Sequence, residues 1–261
     1  MRKKIAAFRP ENMLKSSKEK ADRYGFDFFG FPVFELVELK DALKEIEDVF
    51  NERVDIVIFT SLNGVKKSLS ICGDKFDLKN KLLDAEVEIC AIGPVTKMEL
   101  ERHGINVDFM PEDYSAKGLM RLIEEGKDVT QKTIVFLRSA AGGQAILDFL
   151  QGKGAFVKDI AVYTVKLKDS ETDKELFWGL TRYKPDYIIF TSSLTFRTFL
   201  ELATKFELKE AIVDVLERAK IAAIGALTAE TIRNEGMEVD LVAEKSTFED
   251  VLNELKREEF I

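Results

Sequence analysis

The chain carries a diverged copy of itself. Lys4-Ile5-Ala6-Ala7-Phe8-Arg9 matches Thr133-Ile134-Val135-Phe136-Leu137-Arg138 at an offset of 129 residues, and Gly25, Val33 and Phe34 match Gly154, Val162 and Tyr163 at the same offset. Asp55-Ile56-Val57-Ile58-Phe59-Thr60-Ser61 matches Asp186-Tyr187-Ile188-Ile189-Phe190-Thr191-Ser192 at an offset of 131. Ala91-Ile92-Gly93, Thr96 and Gly104 match Ala223-Ile224-Gly225, Thr228 and Gly236 at 132. Order is kept and the offset drifts by only three residues, so the 261 residues are a duplication. Two copies are too few for a solenoid, and a unit used twice is the better account.

Each copy alternates strand-like and helix-like runs. Ile5–Phe8 and Ile134–Leu137 are short and apolar, and Asp55–Phe59 and Tyr187–Phe190 are rich in β-branched and aromatic residues. Strands buried on both faces have that composition. Leu43, Ile46 and Phe50 share one helix face, as do Ile146, Phe149 and Leu150. Gly25, Gly104, Gly154 and Gly236 are placed to end helices in a left-handed turn. The fold class predicted is α/β, with two similar lobes, each a parallel sheet flanked by helices. The repeat by itself divides the chain near Gln131.

Composition excludes several classes of partner. The formal net charge is −8 and no basic stretch is clustered, so nucleic acid is not an expected partner. No apolar run approaches the ~20 residues of a membrane span. The run after the basic start, Ile5 to Phe8, is too short for a signal peptide, so a cytoplasmic location is expected. Cys72, Cys90 and the single His103 fit no metal spacing. The thiols are expected to be free, and no metal or cofactor is expected. His103 reads as a surface imidazole at a helix end. Trp178 reads as core, and Asp55, Asp186, Glu112 and Glu244 as solvated carboxylates. No oligomer signal stands out, so a monomer is expected.

The polar residues with chemical potential fall between a strand and the next helix in both copies. Thr60-Ser61 and Thr191-Ser192-Ser193 follow the Phe59 and Phe190 strands. Gly93 with Thr96, and Gly225 with Thr228, follow the next ones. Carboxyl ends of parallel strands form the crevice where α/β sheets take ligands. Helix starts there offer unpaired N–H groups and partial positive charge, which suit carboxylates and phosphates. Ser and Thr are also ordinary N-caps that need no ligand. Arg9 and Arg138 end equivalent strands, where each either forks onto a carboxylate ligand or pairs with a neighbouring Asp or Glu. The Gly142-Gly143 loop lacks the phosphate-loop signatures, which argues against a nucleotide.

These motifs together resemble the uroporphyrinogen-III synthases. Ile58–Val65 (IFTSLNGV) and Ala91–Thr96 (AIGPVT) resemble that family's first-lobe motifs. Pro111–Leu119 (PEDYSAKGL) resembles its loop before a helix, and Phe8–Pro10 (FRP) its first-strand ending. Leu137-Arg138-Ser139 with Gly142-Gly143 resembles the middle strand and loop. Val162–Val165 (VYTV) is similar to the segment bearing the family's functional tyrosine, and Ile221–Ala229 to the second-lobe turn.

The resemblance implies one lobe of residues 1–34 with 165–261 and another of 35–164. Strands near 33–38 and 160–166 would connect them, and the lobes are expected to rock about that ribbon around a shared cleft. It implies closure of hydroxymethylbilane, a linear tetrapyrrole with eight carboxylates, to uroporphyrinogen III, with ring D inverted and water lost. Tyr163 would assist departure of the hydroxyl. Arg9, Thr60, Ser61, Gly93, Thr96, Ser115, Arg138, Ser139, Thr191, Ser192, Ser193, Gly225 and Thr228 would bind substrate, and Leu227 stands where relatives carry a second hydroxyl. The competing reading is a cytosolic two-lobed protein that binds an anion or small molecule without chemistry.

Overall fold

The computed structural model describes residues 2–258. The first copy runs β1 (Lys4–Phe8), α1 (Glu11–Tyr24), β2 (Asp27–Phe31), β3 (Phe34–Glu38), α2 (Ala42–Phe50), β4 (Ile56–Phe59) and α3 (Leu62–Cys72). It continues with α4 (Leu78–Leu82), β5 (Glu88–Ala91), α5 (Pro94–Arg102) and α6 (Ala116–Glu124). The second copy begins with β6 (Thr133–Ser139), α7 (Ala145–Gly152), β7 (Phe156–Leu167), α8 (Glu171–Tyr183), β8 (Tyr187–Phe190) and α9 (Ser193–Lys205). It ends with α10 (Lys209–Arg218), β9 (Lys220–Ala223), α11 (Ala226–Asn234), β10 (Leu241–Val242) and α12 (Phe248–Glu258). Gly25, Gly104, Gly154 and Gly236 have φ of 84°, 76°, 83° and 82°, the left-handed turn their spacing predicts.

Two five-stranded sheets form, in the orders β10-β9-β8-β1-β2 and β3-β7-β6-β4-β5. Pairing is parallel from β9 to β2 in the first sheet, and from β7 to β5 in the second. The copies exchange strands. β1 and β2 of the first copy join β8, β9 and β10 of the second, while β6 and β7 join β4 and β5. The series β9-β8-β1-β2 therefore matches β5-β4-β6-β7, and a bridge from Cys90 to Phe109 stands in the place of β10.

The division near Gln131 read from the repeat is thus not the structural one. The compact units are Met1–Glu35 with Lys166–Ile261, and Leu36–Val165. The physical reason is that β1 finds its ladder partner in β8, with Ile5 opposite Tyr187 and Phe8 opposite Phe190.

Within each unit the sheet is buried on both faces. In unit 1, Ile5, Ala7 and Ile189 pack with Val251, Leu252 and Leu255 of α12. On the other face Phe8, Phe190, Phe196 and Phe199 form an aromatic cluster, with Phe8 and Phe199 4.4 Å apart and Phe190 edge-on to Phe196 at 4.9 Å. In unit 2, Val57, Phe59, Val135 and Leu137 meet Ile46, Phe50, Val65 and Leu100. Ile58, Ile134 and Phe136 meet Leu119, Ile146 and Leu150.

Two expectations fail here. Trp178 is 43% exposed, because α8 turns Phe177 and Leu180 inward and leaves the indole at the rim. Asp55 and Asp186 are bonded to backbone rather than simply solvated. Asp186 Oδ2 accepts from the Lys4 amide at 2.8 Å, and Asp55 Oδ2 from the Thr133 amide at 2.8 Å. Asp108 and Asp240 do the same for the Ile89 and Ile221 amides, at 2.6 and 2.7 Å. Each unit thus fastens the entry of two strands with aspartates.

Candidate functional site

In unit 2 the end of β4 and strand β7 bring Ser61 and Tyr163 together. Ser61 caps α3, its Oγ accepting from the Gly64 amide at 3.1 Å. The start of α3 presses onto β6, so closely that a Cβ on Gly64 would stand 2.6 Å from the Leu137 carbonyl oxygen. The β6–β7 register then shifts between Arg138 and Ser139, which pair with Ala161 and Tyr163. The shift sends both Val162 and Tyr163 to the side holding α3, where strict alternation would separate them. Tyr163 is 7% exposed, and its hydroxyl lies 3.2 Å from Ser61 Oγ.

Beside this pair Thr60, Ser115 and Arg138 line a cavity of about 320 Å³, together with Tyr114 and the Gly142-Gly143 turn. Ser115 caps α6 through the Gly118 amide at 3.1 Å and donates to Asp113 at 2.8 Å. Ser139 Oγ accepts from the Ala141 amide at 3.3 Å. Arg138 is 4% exposed and has its own counter-ion. Its Nε and Nη2 donate to the two oxygens of Asp159 at 2.6 and 2.8 Å, and Nη1 donates to the Gly143 carbonyl at 2.9 Å. Of the two readings left open for this arginine, the structure shows the pairing with a neighbouring acid.

The third turn of unit 2 is the start of α5, with Gly93 as N-cap and Pro94 in the first turn. Thr96 is buried there, 5% exposed, and no hydrogen bond to its hydroxyl is present among the described residues. The equivalent turn of unit 1 repeats this at Gly225 and Thr228, also 5% exposed. Each turn also exposes an apolar residue, Val95 at 61% and Leu227 at 73%.

The remaining unit 1 residues are partly occupied. Ser192 caps α9 through the Thr195 amide at 3.0 Å. Ser193 donates to the Leu227 carbonyl at 3.2 Å, which ties the starts of α9 and α11 together. Thr191 donates to the Phe8 carbonyl at 3.2 Å. Arg9 donates to Ser17 Oγ at 3.0 Å and lies 4.6 Å over the Phe248 ring.

One duplicated element is hidden in the letters and plain in the fold. Tyr114 and Ser246 both have left-handed backbones, with φ of 50° and 52°, and each covers the N-cap glycine of the preceding helix. A Cβ on Gly93 would lie 3.5 Å from Tyr114, and one on Gly225 would lie 2.8 Å from Ser246 Oγ. Such a backbone costs about 1 kcal/mol in a residue with a side chain. The following residues, Ser115 and Thr247, cap α6 and α12. The offset of 132 found for Gly93 and Gly225 leads from Tyr114-Ser115 to Ser246-Thr247, but only the hydroxyl survives in the letters.

No helix among the described residues is long and apolar enough to cross a membrane. Among the described residues no group of three or more His, Cys, Asp or Glu could hold a metal. Cys72 and Cys90 are buried free thiols. Burial pushes Cys72 up to about 11, with help from Glu47, and Cys90 up to about 12. His103 caps the end of α5, 3.4 Å from the buried Glu99.

Two parallel sheets flanked by helices, with capped turns at their carboxyl ends, define a duplicated α/β protein. Its sequence matches the family model described as uroporphyrinogen-III synthase HemD over residues 15–253, and the chain belongs to that family of enzymes. The uroporphyrinogen-III synthase of Chlorobaculum parvum is 26% identical over 249 residues, covering 93% of each chain. Among solved structures, a mutant uroporphyrinogen III synthase of the extremely thermophilic bacterium Thermus thermophilus matches with a TM-score of 0.72 at 19% identity over 98% of both chains. The enzyme of Helicobacter pylori 26695 matches with a TM-score of 0.59 at 20% identity over 98% of both chains. At these identities the structures show the fold.

Proposed function

We propose that this chain converts hydroxymethylbilane to uroporphyrinogen III, with inversion of ring D and loss of one water. The observation that carries the reading is the Ser61–Tyr163 pair, set at a strand-to-helix turn of a family member. Ser61 Oγ already accepts from the Gly64 amide, and its single proton is free to go to the Tyr163 oxygen. The phenol then keeps its own proton for the departing hydroxyl of the substrate. Departure leaves an azafulvene, ring D attacks through its substituted carbon, and the spiro intermediate fragments and recloses with that ring turned over. Control of conformation and exclusion of water matter more here than strong acid–base chemistry.

In this reading the carboxylates are received by open amides and hydroxyls at the helix starts. In unit 2 these are Thr60, Ser61, Gly93, Thr96 and Ser115, joined by Ser139 at the end of β6. In unit 1 they are Thr191, Ser192, Ser193, Gly225 and Thr228. Arg138 stands outside the donor set, because Asp159 already takes its charge. The substrate is a small molecule, and the work falls to the chain's own donors.

The test is incubation with freshly made hydroxymethylbilane, followed by separation of the oxidised isomers. Type III product is expected. Type I alone, at the rate of the buffer control, rejects the synthase reading in favour of a binding protein without chemistry.

A further inference from the structure

We propose that Arg9 is a carboxylate-binding residue of unit 1, a role its duplicate Arg138 does not share. The choice of a carboxylate as ligand rests on the function proposed above, while the asymmetry stands on contacts within each unit. Both arginines stand at the carboxyl ends of equivalent strands, β1 and β6. In unit 2 the β6–β7 register sets Asp159 opposite Phe136, from where its carboxylate forks onto Arg138. The backbone then closes around the guanidinium, leaving so little room that a Cβ on Gly142 would stand 2.5 Å from Nη1.

Among the described residues unit 1 offers no such counter-ion. The position opposite Ala7, matching Asp159, is Gly30. The space for a carboxylate stem is already filled, since a Cβ on Gly30 would lie 2.6 Å from the Phe28 ring and 2.8 Å from Leu14. Arg9 makes do with Ser17 Oγ at 3.0 Å, the Met13 sulfur at 3.4 Å and the Phe248 ring at 4.6 Å. Its Nε is buried with no hydrogen-bond partner. Guanidinium does not shed its proton in a protein, so the cation is held half-buried with no acid beside it among the described residues. Burial presses against that charge and lowers its pKa, with only a hydroxyl, a thioether and a ring face set against it among the described residues.

The resting pose leaves an N–H unmet and gives up only a hydroxyl and a thioether when it changes. Turning the guanidinium onto a carboxylate therefore gains a charge-assisted fork of the kind Asp159 makes on Arg138. Thr191, bonded to the carbonyl of Phe8 one residue before Arg9, stands at the same strand end.

The experiment titrates the full-length protein with uroporphyrin, a stable macrocycle with eight carboxylates, by fluorescence. Arg9→Met keeps the packing over Phe248 and removes the charge. It is expected to raise the dissociation constant about tenfold, the worth of one charge-assisted bond, while the melting temperature holds or rises. Arg9→Lys keeps the charge without the fork and is expected to recover part of the affinity. Arg138→Met is expected to lower the melting temperature, because it strands Asp159. Unchanged affinity in folded Arg9→Met overturns the proposal, as does a loss of stability that accounts for weaker binding. If the wild type makes no type III isomer yet binds uroporphyrin through Arg9, the reaction fails and this site stands. If it makes type III and Arg9→Met binds as the wild type does, the reaction stands and this site fails.

Discussion

Tyr163 and the two cysteines carry the predictions that belong to single residues. Tyr163→Phe removes a proton donor and keeps the buried ring. It is expected to lower kcat on hydroxymethylbilane by about 10- to 100-fold without abolishing type III product. Complete loss of turnover in the folded variant would give the phenol a larger share than a polarising donor has. Cys72 and Cys90 are 1% and 0% exposed, with their thiols pushed up to about 11 and 12. Neither is expected to react with iodoacetamide at pH 8 in the native protein, and both should in guanidinium, as mass spectrometry would read. That both are free thiols was legible from a spacing that fits no ligand set. The difference between Arg9 and Arg138 was not, because the two strings look alike. What separates them lies 21 residues further on, where one copy has Asp159 and the other Gly30. A pairing across strands is invisible until the register is known.

Helix starts and strand entries carry the next two predictions. Gly64→Ala puts a methyl group 2.6 Å from a backbone oxygen of β6, so strand or helix must shift. The expected cost is about 2 kcal/mol, seen as a lower urea midpoint with an unchanged m value. Asp186 fastens β1 to β8 through the Lys4 amide and Lys3. Burial raises its pKa, but the bonds from Lys3 and Lys4 and their charges outweigh that, leaving it below the usual 3.8. Its contribution is therefore complete above about pH 4 and lost as the pH falls through the lowered value. Asp186→Ala is expected to melt below the wild type at pH 7 by the worth of about 1 kcal/mol, with the two curves converging in strong acid. A gap that persists at pH 2 would mean the aspartate acts through packing. Most strands and caps were legible, since apolar runs and Ser or Thr before a helix state their role locally. The register shift that turns Tyr163 toward Ser61 was not, because nothing in Val162-Tyr163-Thr164 marks it. Nor was the rim position of Trp178, which depends on how far α8 rolls.

Across the whole molecule, the duplication was plain in the letters, but the way its halves trade strands was not. Periodicity states which segments are strands and is silent on which copy each will pair with. The contiguous unit, residues 36–165, holds its own sheet and a core on both faces of it. Expressed alone, it is expected to melt in one cooperative transition by circular dichroism. A broad, featureless melt would show that its core is incomplete without the rest of the chain.

The trade of strands also sets an order of events on the ribosome. β1 and β2 leave the exit tunnel well before β8, the neighbour that β1 needs. At ordinary synthesis speeds of about 5–20 residues per second, those opening strands wait on the order of ten seconds while the middle of the protein matures. During that interval Phe8, Phe26 and Phe31, which end fully covered, are available to any chaperone that reads apolar chain.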